Sequence, residues 1–198
     1  PLVLHATFSD GTTLSGEAEI TAAHKRIDSI WVTPQDDSTN EVAQAPSEVI
    51  NAILNADVIV LGPGSLFTSV LPNLMVPNVA EALKATRAKV VYIANIMTQK
   101  GETDDFSDAD HLRAINRHVG DNVVDAVIMN TGVVPEDYID WKKWNEVSHQ
   151  VTFDPEEVRQ EGAVPVLGDL LELRDDGAFH NGDIVAQLIM QIANSPEI

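Results

Sequence analysis

The stretch Gly62-Pro63-Gly64-Ser65-Leu66-Phe67-Thr68-Ser69 follows the apolar run Val58–Leu61 and gathers residue types that hold a phosphate without a positive side chain. Gly62 and Gly64 let the backbone approach a ligand closely and take up positive φ. Ser65, Thr68 and Ser69 bring hydroxyl donors, and a helix starting here would aim free N–H groups at an anion. The spacing is neither G-x-G-x-x-G nor a Walker loop, because no Gly-Lys-Ser/Thr follows. A tight strand-to-helix turn with a Ser/Thr cap uses the same residues, so both uses remain open on spacing alone. A second polar loop follows the run Lys89–Ala94. It contributes Asn95, Thr98 and Gln99, together with Lys100, Glu102 and Asp104. Asn130-Thr131-Gly132 closes a third apolar run. Three run ends thus each present Gly or Asn with a hydroxyl. The expected ligand-binding residues are Gly62, Gly64, Ser65, Thr68, Ser69, Asn95, Thr98, Gln99 and Asn130.

No catalytic residue and no metal ligand is assigned. His111 and His118 stand seven apart, whereas helical metal sites use i, i+4 spacing, so surface or partly buried helix histidines are expected. His180 reads as the neighbour of a helix cap. Trp141 and Trp144 flank Lys142-Lys143 and read as a helix packing its indoles on the core. No Ser-His-Asp arrangement can be proposed from spacing. The chain has no cysteine, which excludes disulfides, thiolate zinc sites and cysteine nucleophiles.

The 198 residues carry 12 Lys+Arg against 31 Asp+Glu, a formal charge of −19. Residues 1–101 hold 10 acids and 6 bases, and residues 102–198 hold 21 and 6. An anionic ligand is therefore expected against the first half, and a nucleic-acid polymer is not expected at all. No apolar run approaches the ~20 residues of a membrane span.

The elements that must position these loops follow from pattern. Leu2–Phe8 and Thr12–Ile20 flank Ser9-Asp10-Gly11 and read as a hairpin, with Ile27–Thr33 as a third strand. Residues 34–46 read as a loop, after which Pro46 opens a helix with Val49, Ile50, Ile53 and Leu54 on one stripe. Strand and helix then alternate. Val58–Leu61, Lys89–Ala94 and Asp125–Asn130 read as strands buried on both faces of a parallel sheet. Pro77–Thr86 is a helix, and Ser107-x-x-Asp110 starts another that reaches Val119. Asp154-Pro155 starts a helix that Gly162 ends, and Ala163–Leu167 is a strand. Leu170–Phe179, centred on Asp176-Gly177, is a hairpin, and Ile184–Ala193 is the last helix. The expected fold class is α/β, a three-layer Rossmann-like sandwich with a mostly parallel central sheet and an N-terminal β-hairpin segment. Ligands in such sheets bind outside the carboxyl ends of the strands. A single domain over 1–198 is expected, with a β-rich segment at 1–33 and an α/β core at 46–198.

The stretches ADVIVLGPGSLFTSVLPNLMVPNVAEAL and VVYIANIMTQKGETDDFSDADHLRAINRHVG resemble the gluconeogenesis-factor family (YvcK-like), a relative of the CofD 2-phospho-L-lactate transferase. The resemblance covers nearly the whole chain and is most specific between Asp57 and Gly120. It implies a cytoplasmic protein that binds UDP-sugars such as UDP-N-acetylglucosamine and serves cell morphogenesis during growth on gluconeogenic carbon. The nine residues above would then bind the nucleotide-sugar, with no catalytic group and no firmly implied cofactor. Homo-oligomer and protein partners are left open. The family's chain begins with a Gly-rich turn absent here, so this sequence is expected to be the C-terminal portion of a longer chain. In the transferases the phosphate loop is Ser-Pro-Ser-Asn-like, whereas Gly-Pro-Gly-Ser stands here, which speaks against transfer chemistry. A phosphotransferase of that type is the alternative. It would need magnesium, held by Asp104 and Asp105 or by carboxylates outside this sequence.

Overall fold

A computed structural model describes residues 1–35, 42–140, 142, 148–196 and 198. Strand β1 (Leu2–Phe8) lies between β2 (Thr13–Ser15) and β3 (Ile27–Pro34) in an antiparallel sheet. Its alternation turns Leu4, Ala6 and Phe8 into the core. The second hairpin arm is shorter than its pattern suggested. Gly16 takes φ +100° and ends β2, and residues 17–20 belong to helix α1 (Glu17–Ala23) instead of a strand. Acidic Glu17 and Glu19 suit a helix N-terminus, and the helix buries Ile20 to 1% exposure.

Helix α2 (Ser47–Asn55) starts after Pro46 as expected. Its stripe divides: Ile50 and Ile53 pack on the core, while Val49 and Leu54 stay exposed. The central sheet runs β4 (Val58–Leu61), β5 (Lys89–Ile93), β6 (Ala126–Asn130) and β7 (Val164–Gly168), all parallel, in that spatial order. Among the described residues only β5 and β6 are flanked by strands on both sides, and their Tyr92, Ile93, Ile128 and Met129 are fully buried. Strand β4 is an edge here, with Val60 40% exposed, in place of the doubly buried strand its apolar run suggested.

Between β4 and β5 lie a π-helical turn (Leu66–Val70), α3 (Leu71–Leu74) and α4 (Pro77–Ala85). Helix α5 (Asp108–Val119) joins β5 to β6. Ser107 caps it in a reciprocal box with Asp110, and Gly120 ends it at φ +77°. Helix α6 (Pro155–Gln160) is capped by Asp154 and leads into β7. The hairpin β8 (Leu171–Arg174) and β9 (Gly177–His180) turns at Asp175 and Asp176, both at positive φ. The turn therefore sits one residue earlier than Asp176-Gly177, because two left-handed residues match strand twist.

Two cores result. One joins the N-terminal sheet to α3, α4, α5 and one face of the central sheet. The other packs Val91, Ile93, Ala126 and Ile128 against α7 (Gly182–Asn194). Lys89 fastens α7 from below by donating to the carbonyls of Ile192 (2.8 Å), Ala193 (3.3 Å) and Ser195. A cation there also meets the negative end of the helix dipole. The arrangement is the expected three-layer α/β sandwich, and it leaves the carboxyl ends of β4, β5 and β6 side by side. No helix among the described residues is long and apolar enough to cross a membrane.

Candidate functional site

At the end of β4, Gly62 adopts φ +84°, which favours glycine, and its Cβ position lies 3.4 Å from the Ile93 carbonyl. The loop then enters the π-helical turn. Ser69 and Val70 both return their N–H groups to the Ser65 carbonyl, at 3.0 and 2.9 Å. Gly64 sits close enough that a Cβ would touch the Ser69 Cβ at 3.4 Å. Ser69 is exposed, Ser65 half-buried and Thr68 buried. The hydroxyls of Ser65 and Thr68 are 2.6 Å apart, and Ser65 donates to Glu102 Oε2 at 2.9 Å. A phosphate on this loop therefore competes with Glu102 for the Ser65 proton.

Glu102 was named only as one of the carboxylates in its loop, yet it is the junction of the site. It is 2% exposed and also accepts from Thr21 Oγ1 (3.2 Å) and Gln99 Nε2 (3.1 Å). No local sequence signal marks it as a junction, because Thr21 and Ser65 lie 81 and 37 residues away. Gln99 is held further by its backbone, with N–H bonded to Thr103 Oγ1 at 2.8 Å.

Beyond β5, Asn95 presents a buried Oδ1 that accepts no hydrogen bond among the described residues. Beside it, His180 from β9 donates Nε2–H to the Ala94 carbonyl at 3.0 Å, which leaves Nδ1 as the basic nitrogen. Burial lowers the His180 pKa, partly offset by that carbonyl. His180 is thus more than a cap neighbour, for the hairpin carries it to the end of β5.

Thr98 and Asn130 do reach the strand ends, but their polar groups are bonded within the chain. Thr98 N–H donates to the His149 carbonyl (2.7 Å), and its Oγ1 accepts from His149 N–H (2.9 Å). Asn130 Oδ1 accepts from Gly132 and Leu170 N–H, each at 3.0 Å, and Nδ2 donates to the Gly132 carbonyl at 2.8 Å. The segment 148–150, tied to Thr98, closes one side of a cavity of about 350 Å³. Met97, Val134, Pro135 and Ile139 give it an apolar wall, with Glu136 and His149 as polar edges. Apolar walls with few polar groups are the usual setting of a small-molecule site. Gln150 braces the segment, donating to the Gly132 carbonyl (2.7 Å) and accepting from Val134 N–H (2.9 Å).

The histidines of α5 are bonded to its backbone. His111 is fully buried and gives Nδ1–H to the Ser107 carbonyl at 2.8 Å, while His118 does the same to Ala114 at 2.7 Å and accepts from Ile30 N–H. Burial lowers both pKa values. Burial pushes the Asp108 carboxyl up to about 7, against the Asp154 N–H that lowers it and with the Asp154 charge that raises it. Asp104 accepts from Gly101 N–H at 2.8 Å, and Asp105 sits at positive φ. Among the described residues no three His, Cys, Asp or Glu side chains come together as a metal set. Trp141 and Trp144 lie outside the described residues.

Comparison with known proteins agrees with this architecture. The sequence model of the family described as 2-phospho-L-lactate transferase CofD matches residues 1–171. A Lactococcus lactis protein named "Putative gluconeogenesis factor" is 46% identical over 196 residues, covering 99% of this chain and 59% of that protein. A gluconeogenesis factor of Listeria innocua is 39% identical over 190 residues, covering 96% of this chain and 56% of its own length. The crystal structure of a UPF0052-family protein from Bacillus halodurans superposes with a TM-score of 0.86 at 38% identity, covering 96% of this chain and 59% of that one. The chain thus spans a little under three fifths of the length of these relatives. A match across 171 of 198 residues, with the same fold in a solved relative, places the chain in the CofD family, alongside relatives named as gluconeogenesis factors.

Proposed function

We propose that this chain binds a nucleotide-sugar of the UDP-sugar class at the ends of β4 and β5, and acts as a gluconeogenesis factor that regulates without turnover. The single observation that carries the proposal is the buried Asn95 Oδ1, which finds no partner among the described residues, two residues past the end of β5, the strand whose Ile93 carbonyl faces Gly62 of the glycine loop. An acceptor buried without a partner costs about 1–3 kcal/mol, and a ligand N–H or O–H placed there removes that cost. Asn95 would read the base or the sugar. The diphosphate would lie over Gly62, Gly64 and Ser69, met by the N–H groups that open the π-helical turn and by the exposed Ser69 hydroxyl. Ser65, Thr68 and Gln99 would shape that loop through Glu102. Thr98 and Asn130 would hold the walls. In the cell such a binder would work in the cytoplasm, reporting nucleotide-sugar supply to cell morphogenesis during gluconeogenic growth.

Calorimetric titration with UDP-N-acetylglucosamine tests this reading. Saturable heat is expected, and no heat at millimolar ligand would overturn it. A second reading, phosphotransfer, is favoured by the description of the matching family. It requires a divalent ion to neutralise charge between phosphates, and Asp104 and Asp105 do not form a ligand set with a third group here. No step is therefore derived through such an ion. Magnesium-dependent consumption of a nucleoside-diphosphate substrate would replace the first reading by the second.

A further inference from the structure

We propose that Glu102 is a positioning residue that sets the direction of the hydroxyl protons in the Gly62–Ser69 loop and thereby limits how strongly that loop holds phosphate. The inference rests on the nucleotide-sugar reading and concerns the same site. Among the described hydrogen bonds, three donors converge on Glu102: Ser65 Oγ at 2.9 Å, Gln99 Nε2 at 3.1 Å and Thr21 Oγ1 at 3.2 Å. A carboxylate only accepts, so all three protons point at it. Ser65 has one proton and spends it on Glu102. The 2.6 Å bond between Ser65 and Thr68 must then be donated by Thr68. Both hydroxyl protons run inward, and the loop turns the Ser65 oxygen to the ligand as an acceptor.

The cluster also joins parts of the chain that are remote in sequence. Thr21 lies on α1, Ser65 after β4 and Gln99 after β5. Gly101, at φ +83°, lies so close to the chain at the end of α1 that a Cβ there would stand 2.3 Å from the His24 carbonyl carbon. The backbone next to Glu102 is thus packed against the end of α1, and its carboxylate is tied to three separate elements.

Glu102→Gln keeps shape and length while changing the proton count. Its carbonyl can still accept from Thr21 and Gln99, and its amide donates to Ser65. The Ser65 proton is then released to the ligand, and a negative charge behind the loop is gone. UDP-N-acetylglucosamine is expected to bind roughly three- to ten-fold more tightly to Glu102→Gln than to the parent, by calorimetry. Adding Ser65→Ala to Glu102→Gln is expected to abolish that gain. A merely structural Glu102 gives weaker or equal binding, which overturns the proposal. A gain that survives in the double variant reports charge alone and overturns it as well. Should Glu102→Gln fail to fold, Thr21→Val gives the reverse test. With one donor fewer, Glu102 holds the Ser65 proton harder, and affinity is expected to fall about two- to three-fold. Unchanged or tighter binding there overturns the proposal. If the parent chain binds no UDP-sugar, the nucleotide-sugar reading falls and this inference with it. If the parent binds and Glu102→Gln binds equally, only this inference falls.

Discussion

Asn95 and Asn130 are the same residue type at the same topological place, the carboxyl end of a central parallel strand, yet their side chains do opposite things. Asn130 is spent on its own chain. Its Oδ1 takes two backbone N–H groups and its Nδ2 gives to a carbonyl, closing the turn at Gly132 and fixing Leu170. Asn95 has a buried Oδ1 that takes no hydrogen bond among the described residues. Residue type at a strand end therefore says little about ligand contact. What decides is whether the backbone nearby has already claimed the side chain, and only the fold reveals that. A satisfied amide stabilises the protein, whereas an unsatisfied one costs stability until a ligand arrives.

The largest effect should separate the two asparagines by stability. Asn130→Ala leaves the N–H of fully buried Leu170 without its partner and is expected to lose about 2–4 kcal/mol in urea denaturation. Asn95→Ala removes no described bond from Oδ1 and relieves the cost of an unpartnered acceptor, so it is expected to leave stability unchanged or to raise it by up to about 1–3 kcal/mol. Equal losses would erase the distinction.

Asp108 extends the comparison to a buried acid, at 4% exposure with a pKa raised to about 7. Its folded pKa lies above the ordinary value of 3.8, so the fold binds the proton more strongly than the unfolded chain does. The stability it contributes is fully present below about pH 4 and is lost as pH rises through about 7. Asp108→Asn is expected to flatten the stability profile across that window, read as the difference in urea midpoints between pH 4.5 and 7.5. Parallel profiles for parent and variant would show that the acid is solvated instead.

A smaller change is expected from replacing Thr68 and Ser69 together by Ala, which removes the exposed donor and the hydroxyl that supports Ser65. UDP-N-acetylglucosamine affinity should fall on the order of ten-fold with the fold nearly intact. Unchanged affinity would reduce the loop to a chain turn. Salt should matter least. Backbone amides and hydroxyls attract phosphate at short range, and the protein's −19 charge repels an anionic ligand until screened. Affinity is expected to stay flat or rise slightly from low to physiological sodium chloride. A steep fall would move the site to cationic side chains.

Much of the fold was legible because its signals are local. The runs of β4, β5 and β6, the Ser107–Asp110 box, the Asp154 cap and the Gly120 stop all act within a few residues. The end of β2 was missed because Gly16 breaks the strand and Ile20 is buried from a helix, where an apolar residue reads equally well in either element. The edge position of β4 was also hidden, since an apolar run does not say how many neighbours it has. The site was legible only as a place. Gly62, Ser69 and Asn95 present groups at the strand ends, but Thr98 is claimed by His149 and Asn130 by Leu170, from 51 and 40 residues away. Glu102 escaped for the same reason.

The most direct measurement is calorimetric titration of UDP-N-acetylglucosamine into the 198-residue chain and its Asn95→Ala variant at one pH and salt concentration. A nucleotide-sugar site at the end of β5 predicts saturable heat with the parent and binding weaker by roughly ten-fold in Asn95→Ala, the worth of one buried hydrogen bond. Heat of equal affinity in both would contradict the placement on Asn95, and no heat in either would contradict nucleotide-sugar binding itself.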